Sequence, residues 1–271
     1  NSHTISVNNI TANTIDSVVV YGESGAKITV NDLNVVSKIR DNPTEADKND
    51  TGAAFAKGTG TIITIDRGSL PGEANINITG SKLTDADRYI GFGLMAADGG
   101  VINAKKNHIK VTNGSTAAAS IGTNSNIDLS GGTIEFNGSG YAVYSDGVGK
   151  IDLSGSKMIL KGKSTAFDLN LTPGVVSPIK LDSNSRIHVA SNDVVVFNLQ
   201  NATGLNTNGL ENSITTALGG ALGSVNLDNL IVAEAGADKY KTAAVDGGTI
   251  TIGNLDKTGT GAVGETQAQK D

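Results

Sequence analysis

Apolar and polar residues alternate along many short segments of this chain. Ile127 and Leu129 flank Asp128, and Ile134 and Phe136 flank the glutamate between them. Alternation with a period of two predicts β-strands that bury one face. Glycine, serine, asparagine and aspartate separate these segments, and such residues favour tight turns. The pattern therefore predicts many short strands joined by turns.

The strand pattern repeats along the chain. The sequence Ile-Asp-Leu-Ser-Gly begins at Ile127 and again at Ile151, an offset of 24 residues, and Phe136 recurs as Leu160 at the same offset. Further along, the period lengthens by four or five residues, which fit in a loop at 170–178. A fixed period of this length is typical of a repeat architecture.

One repeat is predicted to contain strands at 141–145, 150–153 and 157–161. Three strands and three turns predict one coil of an all-β, right-handed parallel β-helix, whose coils stack about 4.8 Å apart. Equivalent residues should then form two internal columns, one of Ala104, Leu129, Leu153 and Leu181 and one of Val111, Phe136, Leu160 and Val189. In the first strand, either Ala142 and Tyr144 or Tyr141 and Val143 face inward.

Three segments interrupt the repeat and are predicted to leave the solenoid, at 40–60, 83–89 and 202–224. In the last segment, apolar residues spaced by four from Leu210 to Leu222 predict a short helix. Residues 1–256 are otherwise predicted to form a single β-helix segment. Residues 257–271 are predicted to be a flexible polar tail or a truncated continuation.

Composition narrows the possible classes of protein. The 271 residues include 35 glycines and no cysteine, and the net charge is −6. This charge, without a basic stripe, argues against a nucleic-acid binder. The absence of cysteine fits a secreted bacterial protein that folds without disulfides. The chain begins at Asn1 and carries no signal peptide, so we expect a monomeric fragment of a larger protein.

Two acidic residues are the first candidates for chemistry. Asp128 and Asp152 are predicted to be outward neighbours on adjacent coils, and glycoside hydrolysis uses a pair of carboxylates. Such a pair could share a proton or hold a metal ion or a sugar. Asn103 and Lys180 occupy the flanking positions and interrupt the acidic column. We therefore favour a solvated face over a site.

The remaining chemical motifs are weak. His108 and His188 are predicted to face outward on the third strands of coils that lie several positions apart, so they cannot form a dyad. No cysteine nucleophile is present, and no Ser-His-Asp arrangement can be argued. The segment 47–52 loosely resembles a calcium loop but lacks the alternating ligands and the closing glutamate. We expect no catalysis, no cofactor and no metal.

Three segments carry a resemblance to a known family: Ala97 to Ala104, Asn126 to Gly132 and Gly140 to Gly147. They resemble the passenger region of Gram-negative (type V) autotransporters, most closely the large fusobacterial autotransporter adhesins. The likeness covers about 90–200 well and the rest only in style. It implies a β-helix exposed at the bacterial surface or released, attached to the outer membrane through a C-terminal β-barrel that is missing here. It also implies adhesion to host receptors, glycans or other bacteria, and it assigns no binding residues.

The leading hypothesis is therefore a non-catalytic adhesin segment that binds through loops on a stiff scaffold. The alternatives are a β-helix polysaccharide hydrolase or lyase, and a spacer that binds nothing. The loop residues predicted to contact a partner are Arg40, Asp41, Glu45, Asp47, Lys48, Asp50, Arg88, Tyr89, Leu210 and Glu211. Tyr141, Tyr144 and Phe167 form either an exposed binding patch or part of the core.

Overall fold

Strands that are equivalent in the repeat pair side by side, in register and in parallel. The computed structural model describes residues 3–41, 43, 51–67, 72–82, 89–170, 178–200, 227–246 and 251–252. Within them the chain is almost entirely β-structure and forms three parallel sheets. Most coils contribute one strand to each sheet in turn. The parallel β-helix predicted from the repeat is therefore confirmed.

The strands are numbered in chain order. Sheet 1 contains β1 (Thr4–Val7), β4 (Lys27–Val30), β7 (Ile62–Ile65), β12 (Val101–Asn103), β15 (Asn126–Asp128), β18 (Lys150–Asp152) and β21 (Ile179–Lys180). Sheet 2 contains β2 (Ile10–Ile15), β5 (Leu33–Lys38), β8 (Ile76–Thr79), β13 (His108–Thr112), β16 (Thr133–Asn137), β19 (Lys157–Lys161), β22 (Arg186–Val189) and β24 (Ile231–Ala233). Sheet 3 contains β3 (Val18–Glu23), β6 (Gly52–Lys57), β11 (Phe92–Ala97), β14 (Thr116–Ile121), β17 (Gly140–Ser145), β20 (Ser164–Asn170), β23 (Val195–Gln200), β25 (Lys241–Asp246) and the antiparallel β26 (Thr251–Ile252).

The two internal columns predicted from the sequence are present. Val111, Phe136, Leu160 and Val189 are successive partners in sheet 2. Ala104, Leu129, Leu153 and Leu181 are all buried in the main core. Because each coil shares this core with the coils on either side, stability accumulates along the axis of the solenoid.

The first strand of the repeat follows neither of the two alternations considered. In β17, Ala142 and Val143 are both buried in the main core, whereas Tyr141 and Tyr144 are not. The partners of β14 and β17 run from Thr116 with Tyr141 directly to the pair at Val143. The strand therefore bends at Ala142, and strict alternation begins only after the bend.

Buried asparagines secure one corner of the solenoid. The Asn75 amide nitrogen donates to Asn107 Oδ1 at 2.7 Å and to the Leu33 carbonyl at 3.0 Å. Asn107 in turn donates to the Ile65 carbonyl at 3.0 Å. These bonds satisfy polar groups that the corner removes from water, and they tie several coils together.

The predicted interruptions are only partly described. The segment 40–60 ends earlier than predicted, because β6 already belongs to sheet 3 and pairs with both β3 and β11. At 83–89, the flanking strands β9 (Ser81–Lys82) and β10 (Tyr89–Ile90) form an antiparallel pair. The segment 202–224 and its predicted helix lie outside the described residues, as does 257–271. A separate helical turn, α1 (Leu227–Leu230), precedes β24.

Candidate functional site

The outward face of sheet 3 carries the aromatic residues that the core does not absorb. In β6, Ala54 and Ala56 belong to the main core, so Phe55 between them faces outward. The same argument applies on each neighbouring strand. The resulting outer column of sheet 3 consists, in order, of Tyr21, Phe55, Met95, Ala119, Tyr144, Asp168 and Asn198. Its first half is largely apolar and its second half becomes polar.

The apolar half of this column packs against itself. Phe55 makes edge-on contacts with Tyr21 and Phe92, at ring-centroid distances of 5.5 and 6.1 Å. Phe55 and Phe92 are buried in a small cluster separate from the main core, and Met95 packs against it. Tyr21 remains 45% exposed, and its hydroxyl donates to Glu23 at 2.7 Å. This half serves mainly as a second, small hydrophobic core.

The polar half presents two tyrosines beside a carboxylate. Tyr141 is 38% exposed and Tyr144 is half-buried, whereas Asp168, the neighbour of Tyr144 on the next coil, is only 2% exposed. Asn198 donates to Asp168 Oδ1 at 2.7 Å, and Gln200 donates to its two carboxylate oxygens at 2.9 and 3.1 Å. We call these five residues the tyrosine–aspartate face.

Local sequence explains why this face is well held. Val143, Phe167 and Phe197 point into the core on three consecutive strands. The Phe167 and Phe197 rings stack with centroids 5.2 Å apart and planes 14° from parallel. Stacked inward rings fix the strands, and therefore fix the outward residues between them. Phe167 is thus a core residue, whereas the two tyrosines face solvent.

The electrostatics of the face are negative. Burial raises the pKa of the Tyr141 phenol, and the Asp168 carboxylate raises it further. The pKa of Tyr144 is raised by burial first, and then by the carboxylates of Asp168 and Asp146. Both phenols are therefore neutral hydroxyl groups at physiological pH. Each can donate or accept a hydrogen bond at the solvent-facing side.

The acidic pair on sheet 1 has a structural role in the solenoid. Asp128 and Asp152 are register partners, as predicted from the repeat. In each case Oδ1 accepts bonds from the backbone and hydroxyl of the serine two residues later. The other oxygens contact Lys105 at 3.3 Å and Lys180 at 2.8 Å. The pair therefore stabilises turns and binds surface lysines.

The Lys180 contact has a measurable signature. Burial alone would raise the pKa of Asp152, but hydrogen bonds from Lys180 and Ser154 outweigh that effect and lower it. A carboxyl whose pKa is lowered is a poor proton donor near neutral pH, unlike the raised general acid of a glycosidase. Among the described residues, no group of three or more histidines and carboxylates could hold a metal ion.

The histidines occupy different environments. His108 lies on the outward side of β13 as predicted, but it is not a surface residue, since only 6% of it is exposed. Its Nε2 lies 2.8 Å from Glu135 Oε1 on the next coil, which covers it. His188 is outward and half-buried, and burial followed by the charge of Lys157 lowers its pKa. The two rings belong to different columns of sheet 2.

The loop residues predicted to bind a partner are mostly not placed. Arg40 is held at the end of β5 by Asp16, with Nε 2.6 Å from Oδ2. Asp41 is exposed and lies 3.4 Å from the Lys38 ammonium. Tyr89 belongs to the strand pair with Lys82. The other seven lie outside the described residues, namely Glu45, Asp47, Lys48, Asp50, Arg88, Leu210 and Glu211. The structure does not bring the three placed residues into one cluster.

Sequence reasoning missed the carboxylate at the centre of the face. Phe167-Asp168-Leu169 recurs as Phe197-Asn198-Leu199, an offset of 30 residues. This repeat places Asp168 and Asn198 in one outward column beside Tyr144. The signal was available, but the longer period concealed it.

Comparison with known proteins adds no assignment. No family model, curated protein or solved structure matches this chain. In the described part of the chain, no helix has the length and apolar character needed to span a membrane.

Proposed function

We propose that this chain is a passenger segment of a Gram-negative autotransporter adhesin. It is exposed at the bacterial cell surface, binds host-cell receptors, glycans or other bacteria, and carries out no catalysis. The parallel β-helix supports this proposal because it is the fold that the sequence resemblance implies. The observation that carries the binding function is the tyrosine–aspartate face, where Tyr141 and Tyr144 point outward beside a fixed carboxylate.

The mechanism of such a protein is geometric. Parallel strands in register make the solenoid stiff, so an outward side chain keeps its position relative to its neighbours on the next coil. Tyrosine is enriched in binding hot spots because it offers a large contact area with few rotatable bonds. A face built from two tyrosines and three polar side chains is therefore pre-organised for contact with a partner.

A polysaccharide hydrolase or lyase is the main rival. The acidic pair would have to serve such an enzyme, but its carboxylates are engaged by serines and lysines and the pKa of Asp152 is lowered. Replacing Asp128 and Asp152 with asparagine should leave binding unchanged. Product formation on a polysaccharide panel that disappears in this double variant would overturn the adhesin proposal.

Binding is tested directly with fluorescently labelled chain on epithelial cells and on bacteria, measured by flow cytometry. We expect saturable binding that unlabelled chain displaces. Combined replacement of Tyr141 and Tyr144 by alanine should weaken it at least tenfold, a typical hot-spot effect. Val36→Ala is the matched control, since Val36 is exposed on sheet 2.

Deletions separate the face from the loops. Shortening 42–50 or 201–226 tests the first and last of the loops predicted from the sequence. Loss of binding only in these deletions would assign recognition to the loops. Absence of saturable binding to every cell type would instead favour a spacer and refute the proposed function.

A further inference from the structure

We propose that the tyrosine–aspartate face accepts an arginine or lysine side chain from a basic segment of a partner protein, and that it rejects anionic ligands such as sulfated or sialylated glycans. This inference rests on the proposed binding function and specifies its chemistry. It commits the face to one class of partner, a protein segment with exposed positive charge.

The positions of the residues define a small receptor. Tyr144 and Asp168 are register partners, so their backbones lie about 4.8 Å apart. Tyr141 precedes Tyr144 by three residues on the same strand, which separates their Cα atoms by at most about 10 Å. Asn198 continues the column beyond Asp168. Two rings and a carboxylate therefore surround an area about the size of one long side chain.

The chemistry of these groups favours a cation. The face of a tyrosine ring is electrostatically negative and attracts guanidinium and ammonium groups. Asn198 and Gln200 direct their amide nitrogens at Asp168, so the oxygen of each amide is left as an acceptor. Neutral phenols add two more acceptors. Guanidinium and ammonium groups are pure donors, and they match this set of acceptors.

Charge in the surroundings favours the same ligand. Asp146 and Asp168 are the carboxylates that act on the two phenols, raising their pKa together with burial. Lys241 lies on β25, three strands from the column of Tyr141, or about 14 Å away, beyond the screening length in physiological salt. Lys163 is exposed in the turn before β20. The centre of the face is therefore negative, and an approaching sulfate or carboxylate is repelled.

The rigidity of the face gives the ligand selectivity. The Asp168 carboxylate is almost completely buried and bonded to two amides, so it cannot turn away from an unfavourable ligand. Its field acts through low-dielectric surroundings, where charge effects are stronger than in water. Discrimination between cationic and anionic partners should therefore persist at moderate salt.

The test uses three probes of defined chemistry with the whole chain. These are a fluorescein-labelled peptide with arginines separated by glycine and serine, a matched peptide with glutamate in place of arginine, and a labelled heparin fragment. Fluorescence anisotropy gives Kd for each. We expect the arginine peptide to bind, the other two not to bind, and Kd to rise with salt as ionic contacts are screened.

Variants identify the site. Tyr141→Ala and Tyr144→Ala should each raise Kd for the arginine peptide about tenfold, the order of a hot-spot cation–π contact. Tyr141→Phe keeps the ring and should retain most of the affinity. Val36→Ala should match the wild type. Asp168→Asn should weaken binding as well, and thermal melting must show that each variant is folded.

Several results would overturn the inference. They are equal affinity for the arginine and glutamate peptides, heparin binding that the tyrosine variants abolish, or arginine-peptide binding that Tyr141→Ala leaves unchanged. These outcomes differ from failure of the proposed function. Cell binding that persists in folded tyrosine variants refutes this inference alone, whereas absence of all cell binding refutes adhesion while peptide binding can still be measured.

Discussion

Replacing Phe136 with alanine should lower the free energy of unfolding by about 3–5 kcal/mol, the usual range for a buried phenylalanine. Phe136 is only 1% exposed and lies between Val111 and Leu160 in the inner column of sheet 2. Its strand pairs with five residues of β13 and five of β19. Because the strands on both sides are fixed, the cavity cannot collapse, and the loss should lie in the upper half of the range.

Urea denaturation followed by far-UV circular dichroism measures this loss, with the midpoint and the slope fitted separately. Phe136→Leu should show a smaller loss, since leucine occupies the same position in the next coil at Leu160. Lys110→Ala is the control: Lys110 is exposed on the neighbouring strand, and its replacement should change the unfolding free energy by about 0.5 kcal/mol or less. A loss below about 1 kcal/mol for Phe136→Ala would refute the packed column.

Three further predictions test other parts of the scaffold. Gly140→Ala should destabilise the fold by more than about 1 kcal/mol, because Gly140 has φ of 137° and a Cβ would collide with a carbonyl oxygen of the preceding coil; Gly155→Ala, with φ of 65° and open space, should cost less in the same melting assay. The lowered pKa of Asp152 means that its folded form binds fewer protons, so its contribution is complete above its ordinary pKa of 3.8 and disappears as pH falls through the lower folded value; urea titrations should show this acid loss in the wild type and less of it in Asp152→Asn. Asn107→Ala should reduce stability by about 1–3 kcal/mol because it removes the acceptor of the Asn75 amide and leaves a buried carbonyl without its donor; a change no larger than that of an exposed asparagine would contradict this account.

The regular coils were predictable because stacking in register gives every equivalent residue the same environment. The offset of 24 residues between Ile127 and Ile151 therefore identified inward positions on several strands at once. Asp128 and Asp152 were correctly placed as outward neighbours by the same argument. Errors appeared where the backbone departs from the repeat, as at the bend of Ala142.

The environment of an outward residue depends on side chains from other coils. His108 was predicted to be a surface histidine, and its position on the strand was right. Its burial arises because Glu135, distant in sequence, folds over it. Likewise, nothing local to Asp168 indicates that Asn198 and Gln200 will donate to it from the next strand.

The sequence by itself determined the solenoid: a period of two selects strands, and a period of 24 stacks them, because burial of every second residue requires equivalent neighbours above and below. Only the tertiary structure decided which outward residues meet. Tyr144, Asp168 and Asn198 lie far apart along the chain but one coil apart in space. Outward positions are free of the packing constraint that fixes the core, so their chemistry becomes visible only once the coils are stacked.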